Sequence, residues 1–256
     1  MKTDFLKRIR KRAKDQSSRI VLALDYTDED PERLEAKSRE IIEEVGESLA
    51  AVKMNYHLLL PLSLDSVKRI VETAHRRGLQ AIADMKLNDI SSTNLTAGSY
   101  LWKAGFDAVI ANPIVGFEEG LAPLIEQAHS DGRGVILLVY MSHKGAEDGY
   151  GLTVLHESGR RFSLHEVFLE RAVKWRTDGV VVGATKPGII SSTAELLGGS
   201  LPIFCPGVGV QGGSHMEAVR AGADFLIIGR TILYADDPAA TTERIRRDVW
   251  APHQET

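Results

Sequence analysis

Two charged residues spaced two apart carry the first sign of chemistry in this chain: Asp84 and Lys86, in the run LQAIADMK (79–86). On an extended strand, residues two apart point to the same side, so this carboxylate and this ammonium share a face. Lys53 lies in the run AAVKMN (50–55) and Asp25 ends the run RIVLALD (19–25). If these runs are neighbouring strands, two ammonium groups and a carboxylate converge on one small region, with Asp25 joining them. A lysine flanked by carboxylates stays charged, because opposite charges within ~4–6 Å favour the ionised form. Such a lysine is a poor Schiff-base nucleophile and a good proton donor. A lone D-x-K is most often a structural salt bridge. Burying this many charges is costly, however, unless they serve a site.

The elements that must hold these residues are legible as short apolar, β-branched runs. Eight occur, at 19–25, 50–55, 79–86, 107–112, 134–141, 178–183, 201–206 and 224–229. Each is too short and too continuous for an isolated helix and reads as a parallel strand buried on both faces. Amphipathic segments separate them. Asp30-Pro31 has the N-cap and first-turn chemistry of a helix start, and Gly46, Gly78, Gly105 and Gly222 sit where helices should end. Strands alternating with helices over about 250 residues predict an α/β fold, a single-domain (β/α)8 TIM barrel over 19–250. A basic N-terminal helix over 1–18 is expected to cap it, with Phe5, Leu6 and Ile9 as apolar contacts. A doubly wound open sheet is the alternative, disfavoured because eight units fill the chain. The polar stretch from His143 to about Ser163 reads as a long loop on the side where barrel active sites sit.

Composition excludes several classes. The 256 residues are 43% hydrophobic with a net charge of -4, which gives no reason to expect a nucleic-acid partner. The single cysteine, Cys205, fits a reducing cytosol and reads as a small core residue. No apolar run approaches the ~20 residues of a membrane span. The basic segment from Lys2 to Lys14 lacks the apolar centre of a secretory signal, and Asp4 and Asp15 argue against a transit peptide, so a cytoplasmic location is expected.

In such a barrel, catalytic groups come from strand C-termini and the loops that follow. Besides Asp25, Lys53, Asp84 and Lys86, those positions hold Asp89, Ser142, the run PGVGVQGG (206–213) and Gly229-Arg230. Loops after the seventh and eighth strands commonly form a phosphate site from backbone N–H groups. Gly207, Gly209, Gly212 and Gly213 offer close backbone approach there, and Arg230 a bidentate cation. The substrate is therefore expected to be a small phosphorylated molecule.

At this point a resemblance enters. DMKLNDISST (84–93) resembles the D-x-K-x-x-D-I-x-x-T signature of orotidine 5'-monophosphate decarboxylases, and LALD, VK, MSHKGAE, PGVGVQGG and IIGRTILYADDP agree in order along nearly the whole chain. The resemblance implies that Asp84 crowds the substrate carboxylate and that Lys86 protonates C6 as carbon dioxide leaves. It implies that Lys53 and Asp25 bind ribose hydroxyls, and that Ser142 and Gln211 clasp the pyrimidine under a closing loop. Pro206, Gly207, Val208, Gln211, Gly229 and Arg230 would surround base and phosphate. Asp89, Ile90 and Thr93 would reach into a partner's site, making the enzyme a homodimer with shared active sites. It implies no metal and no organic cofactor. Two positions depart from the pattern. Lys144 stands where the family frequently has proline, and the segment after it is longer than in compact members, so the lid is expected to close differently.

Two rivals remain. Metal-dependent keto-sugar-phosphate decarboxylases or aldolases on the same barrel resemble this chain at D-x-K-x-x-D but place a magnesium-binding glutamate on the second strand. Lys53 stands there instead, and a cation repels a divalent metal. A non-catalytic phosphate-binding barrel is the other rival, although a mere binder gains nothing from buried Asp84 and Lys86. His143 reads as a loop residue, His156 and His165 lack metal-ligand spacing, and Trp102, Trp175 and Trp250 read as helix packing residues.

Overall fold

The computed structural model describes residues 4–27, 30–155 and 159–250, so Lys2 and His156 lie outside the described residues. Ten strands occur among them: β1 (Ile20–Ala23), β2 (Ala51–Met54), β3 (Gln80–Leu87), β4 (Ala108–Ala111), β5 (Gly134–Tyr140), β6 (Thr153–Leu155), β7 (Arg161–Ser163), β8 (Val180–Val182), β9 (Ile203–Pro206) and β10 (Phe225–Ile228). The helices are α1 (Phe5–Asp15), α2 (Pro31–Val45), α3 (Tyr56–Leu59), α4 (Leu64–Arg76), α5 (Ser91–Lys103), α6 (Ala122–Ser130), α7 (Glu147–Tyr150), α8 (Leu164–Lys174), α9 (Pro187–Leu197), α10 (His215–Arg220), α11 (Arg230–Leu233) and α12 (Pro238–Trp250). Eight strands close into a barrel in the order β1-β10-β9-β8-β5-β4-β3-β2, while β6 and β7 form a separate antiparallel pair. The eight barrel strands fall on the eight apolar runs, as expected of strands buried on both faces.

Side-chain alternation divides those runs between two apolar layers. Val21, Ala51, Ile82, Ala108, Ile110, Ile136, Leu138, Val181, Phe204, Phe225 and Ile227 fill the barrel interior. Ile20, Leu22, Val52, Val109, Leu137, Val180, Ile203, Cys205, Leu226 and Ile228 face the surrounding helices. This phase decides where the charges go. Counting by twos, Val21 and Ala23 lead to Asp25, Ala51 leads to Lys53, and Ile82 leads to Asp84, all at the C-terminal end of the barrel.

The opposite end is plugged by α1. Phe5, Ile9 and Ala13 are buried in the interior layer. Arg8 reaches past them to the Gln80 side chain at 2.7 Å, the Gly132 carbonyl at 3.0 Å and Asp107 at 3.1 Å. Arg12 donates to the carbonyls of Gly46 and Leu49 at 2.9 and 3.2 Å. Part of the basic face of this helix is thus spent on carbonyls of the connections ahead of β2 and β5 rather than on solvent.

The helix-end signals held. Asp30 caps α2 by accepting from the Glu32 N–H at 3.0 Å, with Pro31 in the first turn. Gly78, Gly105 and Gly222 follow α4, α5 and α10 with φ of +72°, +98° and +109°. Gly46 is likewise the C-cap of α2, but with φ of -56°, because the chain runs on into a 3-10 turn at Gly46–Ser48 instead of reversing. The stretch after β5 differs from the irregular loop expected. It contains α7 and the β6–β7 ladder, whose short, exposed strands leave little apolar periodicity in the sequence. Trp102 and Trp175 are buried against their helices, as is Cys205 within β9, where burial pushes its thiol pKa up.

Candidate active site

A cavity of about 210 Å³ opens at the C-terminal end of the barrel. Its walls contain Asp25, Lys53, Asp84, Lys86, Ser142, Pro206, Gly207, Val208, Gln211, Gly229 and Arg230. The charged residues form a continuous chain of ion pairs. The Lys53 ammonium lies 2.9 Å from Asp84 Oδ2 and 3.5 Å from Asp25 Oδ1, and Lys86 Nζ lies 2.7 Å from Asp84 Oδ1. Asp84 therefore holds both ammonium groups, one on each carboxylate oxygen.

Burial makes this arrangement strong. The Lys53 side chain is only 5% exposed, against 31% for Lys86. Burial opposes the charge on Lys53, but Asp84 and then Asp25 outweigh it and hold the lysine pKa above its ordinary value. Burial likewise opposes the charge on Asp84, and Lys53 with Lys86 outweighs it, holding that carboxyl below its ordinary value. Both groups stay ionised at neutral pH, and the array presents a fixed field to whatever enters.

Opposite the charges, the loops after β5 and β9 meet. Ser142 Oγ donates to Gln211 Oε1 at 2.7 Å, and the Thr185 hydroxyl donates to the Ser142 carbonyl at 2.9 Å. Gly207 makes this closeness possible. It has φ of +93°, and a Cβ there would stand 2.6 Å from Ser142 Cβ and 2.8 Å from Gln211 Oε1. The other loop glycines bond to one another. The N–H groups of Gly209, Gly212 and Gly213 donate to the carbonyls of Gly213, Gly209 and Gly207 at 2.8, 2.7 and 3.0 Å. They shape the loop and are committed within it, while Gln211, Gly229 and Arg230 line the cavity wall.

Asp89, Ile90 and Thr93 do not line the cavity of their own chain. All three are exposed, Ile90 to 61%. Asn94 braces the turn that carries Asp89 and Ile90 into α5, accepting from the Asp89 N–H at 3.2 Å and donating to the carbonyls of Asp89 and of Gly120. The sequence reading missed Asn55, Thr231, Val210 and Met141, which also line the cavity. Asn55 could have been found, since it continues the inward phase two residues after Lys53. Among the described residues no three histidine, cysteine, aspartate or glutamate side chains converge as a metal-ligand set.

Known proteins similar in sequence and fold identify the family. The chain is 34% identical to the orotidine 5'-phosphate decarboxylase of Pyrococcus abyssi over 230 residues, covering 90% of this chain and 98% of the relative. Against the enzyme of that name from Methanosarcina barkeri it is 31% identical over 241 residues, covering 94% and 99%. The crystal structure of orotidine 5'-monophosphate decarboxylase from Methanocaldococcus jannaschii, complexed with the inhibitor BMP, superposes with a TM-score of 0.77 at 25% identity, covering 91% of this chain and 98% of that one. The Leishmania donovani OMP decarboxylase structure shares the fold with a TM-score of 0.83 at 22% identity, covering 96% and 98%. A sequence model of the orotidine 5'-phosphate decarboxylase / HUMPS family matches residues 18–245, and the chain belongs to that family.

Proposed function

We propose that this protein decarboxylates orotidine 5'-monophosphate to UMP, the last step of de novo pyrimidine nucleotide synthesis, using its own charged residues. One observation carries the reading: Asp25, Lys53, Asp84 and Lys86 form an unbroken ion-pair chain along one cavity wall. When the bond from C6 to the carboxylate breaks, the electron pair stays on C6 and carbon dioxide leaves. That carbanion has no π system to spread its charge. Lys86, preorganised against Asp84, stabilises it electrostatically and then donates a proton from Nζ to C6, to be reprotonated from solvent. Asp84 crowds the departing carboxylate. Lys53 and Asp25 hold the ribose hydroxyls and fix the array.

Ser142 and Gln211 hold the pyrimidine edge, and Arg230 with Gly229 and Gln211 takes the phosphate. Phosphate binding far from C6 helps to orient the base. Asp89, Ile90 and Thr93, exposed and outside their own cavity, complete the site of a second copy, giving a homodimer with shared sites. Among the described residues no helix is long and apolar enough to cross a membrane.

The test is turnover of orotidine 5'-monophosphate in EDTA, followed as loss of the orotate chromophore and appearance of UMP. Rapid turnover by the wild type and near-silence of Lys86→Ala are expected. An absolute magnesium requirement, with turnover of keto-sugar phosphates, would sink the reading; tight nucleotide binding without turnover would reduce the protein to a binder. Mixing Lys86→Ala with Asp89→Ala tests the shared site. If subunits exchange at random, one intact site per heterodimer restores about a quarter of wild-type activity. No recovery after exchange refutes sharing.

A further inference from the structure

Lys86 holds its ammonium in place through a backbone that L-residues rarely adopt. Among the described residues Ser17, Lys86, Glu119 and Arg176 are the non-glycine residues with positive φ, and of these only Lys86 lines the cavity. Its φ is +47°, and it falls where the β3–β4 register slips between Ala83 and Leu87. A side chain with a Cβ is disfavoured in this region, so the surroundings must hold it there.

Rotation about φ of Lys86 turns the peptide plane that joins it to Met85, and the carbonyl of that plane belongs to Met85. The Tyr56 hydroxyl donates to this carbonyl at 2.6 Å. Tyr56 opens α3, three residues after Lys53, and Asn55 fixes the start of that helix by accepting from the His57 N–H at 2.9 Å. Beyond the slip, the Leu87 carbonyl accepts from the Asn112 N–H at 2.9 Å. The segment carrying the strained residue is thus held before the slip by the Tyr56 hydroxyl and beyond it by the Asn112 N–H.

We propose that Tyr56 is a positioning residue for Lys86: its hydroxyl fixes the Met85–Lys86 peptide plane and thereby sets the ammonium against Asp84. The proposal rests on the reading of Lys86 as proton donor. It makes the turn after β2 responsible for both ammonium groups, since that turn follows Lys53 directly and reaches across to hold Lys86.

Tyr56→Phe removes the hydroxyl and little else. One hydrogen bond of this kind is expected to change kcat by roughly tenfold, with KM and the affinity for UMP held within about twofold. In a Lys86→Ala background the same substitution should cost nothing further, because coupled residues are not additive. An unchanged kcat, or an equal penalty in both backgrounds, overturns the proposal. Crystal structures of wild type and Tyr56→Phe give a second measure: Lys86 Nζ displaced from Asp84 is expected, and an unmoved Lys86 overturns the proposal whatever the rates. Wild-type turnover by Lys86→Ala would instead sink the donor reading while leaving the geometry of Tyr56 to be judged by the crystal structures.

Discussion

Asp84→Asn separates an electrostatic array from a set of neutral contacts. The change keeps the shape of the side chain and removes its charge. Two ammonium groups, 2.9 and 2.7 Å from Asp84, then share an amide, and only Asp25 remains beside Lys53, at 3.5 Å. At an effective dielectric of ~20 each lost attraction amounts to about 6 kcal/mol before desolvation is counted. Breaking a buried pair by truncating one partner usually costs ~3–5 kcal/mol net. Because Asp25 still compensates the 5%-exposed Lys53, the lower end, about 3 kcal/mol, is expected. For a chain of this size that corresponds to a fall in melting temperature of roughly 6–12 °C. Turnover should fall by roughly a hundred- to a thousandfold, since a preorganised group aimed at the developing charge is worth ~3–4 kcal/mol. Urea and thermal unfolding followed by circular dichroism, with orotate absorbance for rate, measure both effects. Asp25→Asn is the control, because Asp25 is more exposed and farther from the ammonium, and it should cost less in stability. A variant at Asp84 that melts within about 2 °C of wild type and turns over within tenfold of it would show that the array is not electrostatically coupled.

Arg230→Ala removes an exposed cation from the cavity wall, so melting should not change while KM rises roughly 10- to 100-fold, the worth of one or two charge-assisted hydrogen bonds; an unchanged KM would move the phosphate elsewhere. Phe5→Ala empties the plug beneath the barrel and should cost about 3–5 kcal/mol in urea unfolding, with the kcat of the folded protein little affected; a cost under ~1 kcal/mol would mean that α1 is not part of the core. Hydrogen bonds from Arg246 first, then from Arg247 and Ser48, hold the Glu243 carboxyl down at about 2 from 4.5. A depressed folded pKa stabilises above the unfolded value and is lost as pH falls through the folded one. Glu243→Gln should therefore unfold more readily than wild type at pH 7, with the difference shrinking from about pH 4.5 towards about pH 2; a constant difference across that range would refute the linkage.

Much of the barrel was legible because its signals are one-dimensional. A strand buried on both faces writes a continuous apolar run, and period-two alternation then assigns Asp25, Lys53 and Asp84 to the interior without further information. What escaped the sequence depends on backbone that leaves no composition behind. Lys86 sits in a register slip with φ of +47°, which no residue type announces. The glycines of 206–213 looked alike, yet Gly207 clears the Ser142–Gln211 contact while Gly209, Gly212 and Gly213 tie the loop to itself. The β6–β7 ladder lies inside a polar stretch because its short strands bury almost nothing.

The division of labour around the cavity follows from where rigidity is available. Lys53 is on β2, Asp84 and Lys86 are on β3, and Asp25 lies just beyond β1, so the charges that must not move sit on or beside three adjacent strands. The groups facing them, Ser142 and Gln211, belong to loops after β5 and β9 and touch through a single hydrogen bond. Strands hold an ion-pair chain to fractions of an ångström at no cost when substrate arrives, which electrostatic catalysis requires. Loops can open and close, which binding and release require. On the proposed reading, a charge placed on an opening loop would lose its preorganisation with every opening, and a clasp built on the strands could not let the product go.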